Sequence, residues 1–128
     1  MEDSKELHEE ILSWVKKEFK EILKDSKQAI YIYVCDRHRV CNKNFSSMLG
    51  YSSPEEWAKT EEMMSDVKED DQEVIISAYR NAMENKIGSN INVSWKDKKK
   101  GNFTKTKVIL VPLSYKGQMF ALHFITKI

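Results

Sequence analysis

The residues of this 128-residue sequence that could carry reactive or metal-binding chemistry are few, and their spacing limits that chemistry. Its histidines and cysteines are His8, Cys35, His38, Cys41 and His123. The two cysteines do not form a Cys-x-x-Cys pair, and without further thiols they predict neither a zinc site nor a disulfide framework. Free thiols are typical of a reducing cytoplasm. The sequence contains no serine–histidine–aspartate set, metal triad or phosphate-binding loop, so we predict a cytoplasmic protein that is not an enzyme and binds no metal.

Each of these residues also has a plain structural interpretation. His123 lies in an apolar strand, where it is either a pocket or haem contact or a histidine satisfied by backbone groups. His38 lies in a turn between arginines and His8 lies among acidic residues, so we expect both to be exposed. Cys35 and Cys41 flank that turn and are interpreted as small buried residues, with redox sensing as the alternative.

The charge distribution argues against nucleic-acid and membrane partners. Lys+Arg 21 against Asp+Glu 20 leaves a net charge of +1, so the chain has no global field to attract polyanions. One basic cluster surrounds a predicted hairpin tip, where lysines usually protect a sheet edge from aggregation. It consists of Lys96, Lys98, Lys99, Lys100, Lys105 and Lys107. No apolar run approaches the roughly 18 residues needed to span a bilayer.

The N-terminal segment, residues 1–27, is predicted to form an amphipathic helix. Its apolar residues cover roughly half the circumference, more than the ~100° stripe that one docking surface needs. Leu12, Val15, Phe19 and Ile22 follow a heptad spacing, but for too few repeats to indicate a coiled coil. We therefore expect these residues to form a homodimer interface, with wider burial against residues 28–128 of the same chain as the alternative.

The strand patterns predict an antiparallel sheet that is covered on both faces in its middle. Residues 29–35, 107–113 and 119–125 are apolar on both faces, whereas residues 91–96 alternate between apolar and polar. The polar, glycine-containing connections predict hairpins. The N-terminal helix is the expected cover for the second face.

The stretch NFSSMLGYSSPEEW, residues 44–57, contains the end of one short helix and the start of another. Gly50 favours a helix end, and Ser53 followed by proline and glutamates favours a new N-cap. A longer helix is predicted from Asp70 to before Gly88. These helices are expected to stack on one face of the sheet, an α+β arrangement that tends to leave a small cavity.

This order of residues resembles the first half of a PAS sensor domain. The matching residues are Asp36, Asn42, Phe45, Leu49, Gly50, Tyr51, Ser52 and either Glu55 or Glu56. The resemblance extends over residues 28–127, but Phe124 stands where the family has a closing aspartate and Glu69 where it commonly has proline. It implies a five-stranded antiparallel sheet with short helices on one face, a pocket for a ligand or protein contact, and dimerisation through an N-terminal helix.

The resemblance also implies where cofactor anchors would lie. Flavin photosensors of this family need a cysteine on the helical side, and haem sensors commonly use a histidine there. Residues 57–88 contain neither, so we expect no flavin–cysteine adduct and no helix-histidine haem, and the cofactor remains unknown. Methionines and aromatics at such spacing are usually plain core, and Asn42 is a good cap for the following helix. With these alternatives open, the pocket candidates are Tyr33, Asn42, Phe45, Met48, Trp57, Met63, Tyr79, Met83, Trp95, Leu110, Leu122 and His123.

Two functions of different classes follow from these observations. In the first, the chain is a sensory module that binds a small diffusible ligand and signals through helix-mediated association with a second copy or a signalling protein. In the second, it is a ligand-free dimerisation module whose core is filled by methionine and aromatic side chains.

Overall fold

The structure is a computed structural model that describes the backbone of residues 2–128 and the side chains of residues 5–128; Met1, in the predicted helical segment, lies outside it. Its α-helices are α1 (Glu2–Glu18), α2 (Lys20–Asp25), α3 (Lys43–Met48), α4 (Pro54–Ala58) and α5 (Gln72–Asn85). Its strands are β1 (Ala29–Cys35), β2 (His38–Cys41), β3 (Ser89–Lys96), β4 (Phe103–Tyr115) and β5 (Gln118–Lys127). Short 3-10 helices cover Met63–Asp66 and Glu69–Asp71. Among these described helices, none is long and apolar enough to cross a membrane.

The five strands form a single antiparallel sheet in the order β2-β1-β5-β4-β3. In the register, Tyr31 of β1 and Leu110 of β4 both lie opposite His123 of β5, so these residues share one face. We call this the front face, against which α3, α4 and α5 pack, and the opposite one the back face, against which α1 packs. The predicted α+β fold with a five-stranded antiparallel sheet is therefore confirmed.

Strand β2 is the element that no sequence pattern located. Its residues alternate between half-buried and buried, as expected of a sheet strand, but one of the two buried positions is Arg39. An arginine at a buried position hides the apolar alternation on which strand prediction depends. The pairing of β1 with β2 also shifts register between Tyr33 and Cys35, which brings Cys35 opposite His38.

The N-terminal helix docks on the back face of its own sheet. Ile11 and Val15 are both 0% exposed and pack with a cluster that includes Ile32 of β1 and Phe120 of β5. The helix is not continuous, because the backbone leaves helical geometry at Phe19 (φ −103°, ψ 13°) before α2 begins. The apolar arc that exceeded one docking stripe thus serves first to cover the chain's own sheet.

This docking divides the predicted dimer residues into two groups. Val15 is fully buried in its own chain, so it is unavailable to a partner while α1 is docked. Leu12 and Phe19 are half-buried, and Ile22 is 38% exposed on α2. The surface of α1 and α2 that a partner could reach therefore centres on Ile22 rather than on the whole heptad series.

The centre of the front-face core is a cluster of aromatic rings. Phe45 of α3 stacks on Tyr31 with a centroid distance of 4.8 Å, and its ring meets those of Trp57 at 5.2 Å and Trp95 at 5.3 Å. Asn42 holds α3 in place, since its side-chain oxygen accepts hydrogen bonds from the backbone N–H groups of Phe45 and of Ile30, which joins α3 to β1. Through these ring contacts the short helices α3 and α4 pack against the front face of the sheet.

The long helix begins two residues later than predicted. The 3-10 turn Glu69–Asp71 occupies the predicted start, and Asp71 does not cap the helix with its side chain. Its carboxylate instead accepts a hydrogen bond from the backbone N–H of Ser94 at 2.8 Å. This contact fixes the start of α5 to β3 and so orients the helix across the sheet.

Candidate functional site

The candidate site is a cavity of about 150 Å³ between the front face and α5. It is lined by Tyr31, Tyr33, Asp36, Met63, Met64, Ile75, Ile76, Tyr79 and His123. Asp36 and Ile76 are exposed, which places the mouth of the cavity beside them. An apolar cavity of about 150 Å³ holds a benzene-sized molecule, whereas sites for drug-sized ligands measure about 300–1,000 Å³. The cavity therefore matches a ligand the size of a single ring.

His123 supplies a buried polar group at this cavity. The side chain is 2% exposed and stacks on Tyr31, with ring centroids 3.8 Å apart and planes 8° from parallel. Burial lowers the pKa of His123 to about 3, so the imidazole is neutral at neutral pH. Its Nδ1 is buried and makes no hydrogen bond of good geometry among the described residues, although the backbones of Tyr31 and Ala121 lie near the imidazole and act to raise its pKa. Because an unsatisfied buried polar atom costs about 1–3 kcal/mol, a ligand group that bonds to this nitrogen would be favoured.

The mouth of the cavity is formed by a tyrosine–aspartate pair. The Tyr33 hydroxyl donates a hydrogen bond of 2.5 Å to Asp36 Oδ1, and the Tyr79 ring meets Tyr33 edge-on at 5.1 Å. Burial is the main cause that raises the pKa of both tyrosines, so both remain hydroxyl donors at neutral pH. The entrance thus combines an aromatic wall with one exposed carboxylate.

Of the residues predicted to line a pocket, the structure brings Tyr33, Met63, Tyr79 and His123 together at this cavity. Phe45, Trp57 and Trp95 lie instead in the aromatic cluster of the front-face core, where they are at most 1% exposed and fill space. Because aromatic side chains bury a large area, these three residues hold α3, α4 and β3 together.

The remaining candidates lie outside the cavity for identifiable reasons. Met83 and Leu110 pack in a separate cluster with the alanines of α5. Leu122 lies on the back face because side chains alternate along β5, and it packs in the cluster of α1. Asn42 caps α3 through its side-chain oxygen, and its amide donates to the backbone carbonyl of Gln28. Met48 borders a groove at the sheet end whose other lining residues are mostly polar.

Five lining residues are absent from the list of pocket candidates, namely Tyr31, Asp36, Met64, Ile75 and Ile76. Tyr31 shares a face with Tyr33 because strand side chains alternate with a period of two. Ile75 lies one helical turn before Tyr79 and so points in the same direction. The strand period from Tyr33 and the helical period from Tyr79 therefore predict Tyr31 and Ile75 as further lining residues. Asp36 lies in the turn after β1, where no periodicity applies.

Arg39 lies in the core beside the turn that carries Asp36, and no sequence pattern predicts this role. The side chain is 2% exposed and donates hydrogen bonds to the backbone carbonyls of Asp36 at 2.7 Å, of Trp57 at 2.8 Å and of Thr60. The guanidinium also lies 4.8 Å from the centroid of the Trp57 ring. Arg39 therefore fixes the turn after β1 to the end of α4.

A second group of chemically active side chains gathers where α1 crosses the turn between β1 and β2. Potential ligand atoms of His8, Cys35 and His38 all lie within 4.8 Å of one another. Burial, followed by the charge of His8, lowers the pKa of His38. This group is separate from the cavity and was expected from the sequence to be exposed histidines beside a buried thiol.

The fold is shared with known sensor domains. No protein-family model and no curated protein matches the sequence significantly. Among solved structures, a PAS domain from a two-component sensor histidine kinase matches with a TM-score of 0.66 at 14% identity, covering 91% of this chain and 99% of that one.

Two further PAS domains match in the same way. One, from an HTR-like protein of Haloarcula marismortui, has a TM-score of 0.63 at 15% identity and covers 96% of this chain and 99% of its own. The other, from a Colwellia psychrerythraea protein, has a TM-score of 0.65 at 24% identity and covers 92% and 97%. At these identities the likeness concerns the fold. The antiparallel sheet, its strand order and these matches together identify the chain as having the PAS fold.

Proposed function

We propose that this chain is a sensory module that binds a ring-sized, largely apolar ligand in the cavity between the front face and α5. The observation that carries the proposal concerns His123, which lines this mostly apolar cavity. Its Nδ1 is buried and lacks a hydrogen bond of good geometry among the described residues. Such a nitrogen favours a ligand with one hydrogen-bonding group on an apolar ring.

Strands β1 and β5 offer a route from the cavity to the N-terminal helix. Tyr31 and His123 line the cavity, whereas their neighbours Ile32 and Leu122 face the back and pack in the cluster of α1. A ligand that moves these strands changes the surface on which α1 is docked. We propose that occupancy of the cavity is read out as a change in the docking or association of α1 and α2.

A cavity-filling substitution tests the ligand. In Ile75→Phe, the larger ring occupies part of the 150 Å³ space, so we expect ligand binding to be lost. Phenol, which can donate to Nδ1, and benzene, which cannot, are suitable probes. For the unaltered chain, a probe at about 100 times its Kd should stabilise the fold by about 2.7 kcal/mol, measured as a rise in melting temperature.

The matched control is Val74→Phe, which adds a phenylalanine to α5 at an exposed position (41% exposed) outside the cavity lining. This variant should keep the ligand-induced rise in melting temperature that Ile75→Phe loses. Native mass spectrometry of protein purified without added ligand reports any bound mass and the subunit count together. If no probe raises the melting temperature and no bound mass is detected, the ligand-binding function is wrong.

The second candidate function is a ligand-free dimerisation module, and the back face favours it. Ile109 of β4 is 45% exposed there, next to the half-buried Phe124, and Ile22 of α2 is 38% exposed. We propose that these apolar side chains meet a second copy of the chain. A signalling protein that presents an apolar helix is the alternative occupant.

The variants Ile22→Lys and Ile109→Lys test this interface. Burying either lysine is unfavourable, so each change should weaken a homodimer at least tenfold, which corresponds to about 1.4 kcal/mol. The measurement is the dimer dissociation constant by sedimentation equilibrium. Val74→Lys, on the opposite side of the sheet, should leave this constant unchanged. A chain that remains monomeric at all concentrations would exclude the homodimer.

We propose a cytoplasmic setting for this module. The free thiols of Cys35 and Cys41 suit the predicted reducing cytoplasm, and burial raises the pKa of Cys41 to about 12, which keeps that thiol protonated and unreactive. The proposed role requires binding alone, without a catalysed reaction, a nucleic acid or a membrane.

A further inference from the structure

Three side chains from two parts of the chain converge at the edge of the sheet. Cys35 is the last residue of β1, His38 is the first of β2, and His8 comes from α1, which lies across both strands. Cys35 Sγ and His38 Nδ1 are 3.1 Å apart, and the rings of His8 and His38 have centroids 5.9 Å apart. All three side chains are half-buried, so they are held in place but remain accessible to solvent.

The local backbone explains why these side chains meet. The register of β1 and β2 shifts between Tyr33 and Cys35, so the thiol lies opposite His38 across a two-residue turn. Bulges of this kind redirect a side chain out of the regular alternation of a strand. The docking of α1 then adds His8 from a distant part of the sequence. Two elements of the fold are thus both required for the cluster.

The spacing of the ligand atoms suits a tetrahedral metal ion. With Zn–S near 2.3 Å and Zn–N near 2.0–2.1 Å, the ligand atoms of a tetrahedral site lie about 3.3–3.6 Å apart. The atoms of this cluster lie within 4.8 Å of one another. Side-chain rotations that move these atoms by about 1 Å would therefore complete the geometry. A thiolate with imidazoles is a donor set that selects zinc and its neighbours over calcium or magnesium.

We propose that His8, Cys35 and His38 bind one zinc-type divalent metal ion, with the fourth coordination position left to water or an external ligand. On binding, the Cys35 thiol releases its proton to solvent, and both imidazoles coordinate in their neutral form. This site departs from the sequence-based expectation, which found neither a Cys-x-x-Cys pair nor a metal triad and predicted no metal.

The ion would join the N-terminal helix to the domain. His8 lies in α1, whereas Cys35 and His38 flank the turn between β1 and β2. Metal binding would therefore strengthen the docking of α1 independently of the cavity. At His38, the charges of Lys5 and Arg37 oppose an added positive charge and that of Glu9 favours one.

Cobalt titration of the full chain, without a histidine tag, tests the site. Co²⁺ should bind with one ion per chain and produce a thiolate-to-cobalt charge-transfer band and the intense visible bands of tetrahedral coordination. Cys35→Ser should abolish the charge-transfer band, and His8→Gln and His38→Gln should each lower the affinity at least tenfold. Cys41→Ala is the matched control and should retain the band, because Cys41 is buried on the front face.

Zinc should also raise the melting temperature of the unaltered chain by about 5–10 °C when free Zn²⁺ is about 100 times its Kd. His8→Gln should lose most of this rise. The proposal is overturned if cobalt gives no charge-transfer band, or if the band depends on Cys41 rather than Cys35. It is also overturned if His8→Gln binds cobalt as tightly as the unaltered chain, since the helix would then take no part.

Discussion

Gly50→Ala is expected to destabilise the fold by about 3–4 kcal/mol, far more than one added methyl group would suggest. Gly50 has φ +84°, in the left-handed region, where an alanine costs roughly 1–2 kcal/mol. Its Cβ would also lie 2.7 Å from Asp97 Oδ1 and 3.1 Å from the backbone nitrogens of Lys98 and Lys99. Overpacking of this kind typically adds about 1–3 kcal/mol.

Displacing Asp97, Lys98 and Lys99 would cost additional free energy, because hydrogen bonds hold them in place. The backbone N–H of Lys98 donates to the carbonyl of Leu49 at 2.9 Å, which holds the β3–β4 hairpin against the end of α3. Asp97 Oδ1 accepts hydrogen bonds from the backbone of Lys99 at 2.8 Å and Lys100 at 3.0 Å. Making space for a methyl group would break part of this network.

Gly117→Ala provides the matched control for the loss of Gly50. Gly117 has a similar φ of +81°, but nothing lies within 4 Å of its added Cβ. We expect this variant to lose only the conformational part, roughly 1–2 kcal/mol. Urea unfolding of both variants measures the difference. If the two alanines destabilise the chain equally, the hairpin does not press rigidly on Gly50.

The Leu-Gly-Tyr stretch shows how much local sequence reasoning could predict. The local pattern predicts a helix end at Gly50, and the structure adds that Gly50 permits the close approach of the tip of the β3–β4 hairpin, at Asp97, Lys98 and Lys99. A left-handed residue can be predicted from local chemistry, because glycine alone adopts it cheaply. Which distant segment packs against it depends on the tertiary arrangement, and nothing at position 50 encodes that partner.

The residues of the candidate site and its surroundings also fall into those that local periodicity predicts and those that depend on the tertiary arrangement. Tyr33, Tyr79 and His123 could be chosen from the sequence because each lies in a strand or helix whose period fixes the direction of its side chain. Arg39 could not, since charge normally predicts exposure and its three carbonyl partners lie on different elements.

The metal-type cluster was missed for a different reason. Cys35 and His38 form a Cys-x-x-His spacing that is visible in the sequence, but two ligands alone do not indicate a metal site without a second Cys-x-x-Cys pair or a third ligand. His8, by contrast, joins them only because α1 docks on its own chain. The sequence alone did not distinguish this docking from docking on a second copy of the chain. A two-residue chelate was therefore predictable, whereas the third ligand required the fold.

His123→Phe is expected to remove much of the sensitivity of the fold to mild acid. Above the ordinary pKa of 6.5, folded and unfolded chains both carry a neutral imidazole, and stability does not depend on this group. Between pH 6.5 and about 3, the unfolded chain binds a proton that the buried imidazole of the folded chain does not. Stability must then fall as pH falls, by up to about 1.4 kcal/mol per pH unit.

At pH 4.5, this histidine should therefore reduce the stability of the unaltered chain by about 2–3 kcal/mol relative to pH 7. Phenylalanine keeps the stacked ring on Tyr31 but cannot titrate, so its free energy of unfolding should fall less over the same range. Urea unfolding at intervals between pH 7 and pH 4 measures both curves, and their difference isolates His123 from the carboxylates that titrate in both proteins. His38→Gln should change the slope less, because His38 is only half-buried. Parallel curves for the unaltered chain and His123→Phe would mean that water or movement of α5 lets the buried imidazole take up its proton in the folded state, and the burial of His123 would then not control its titration.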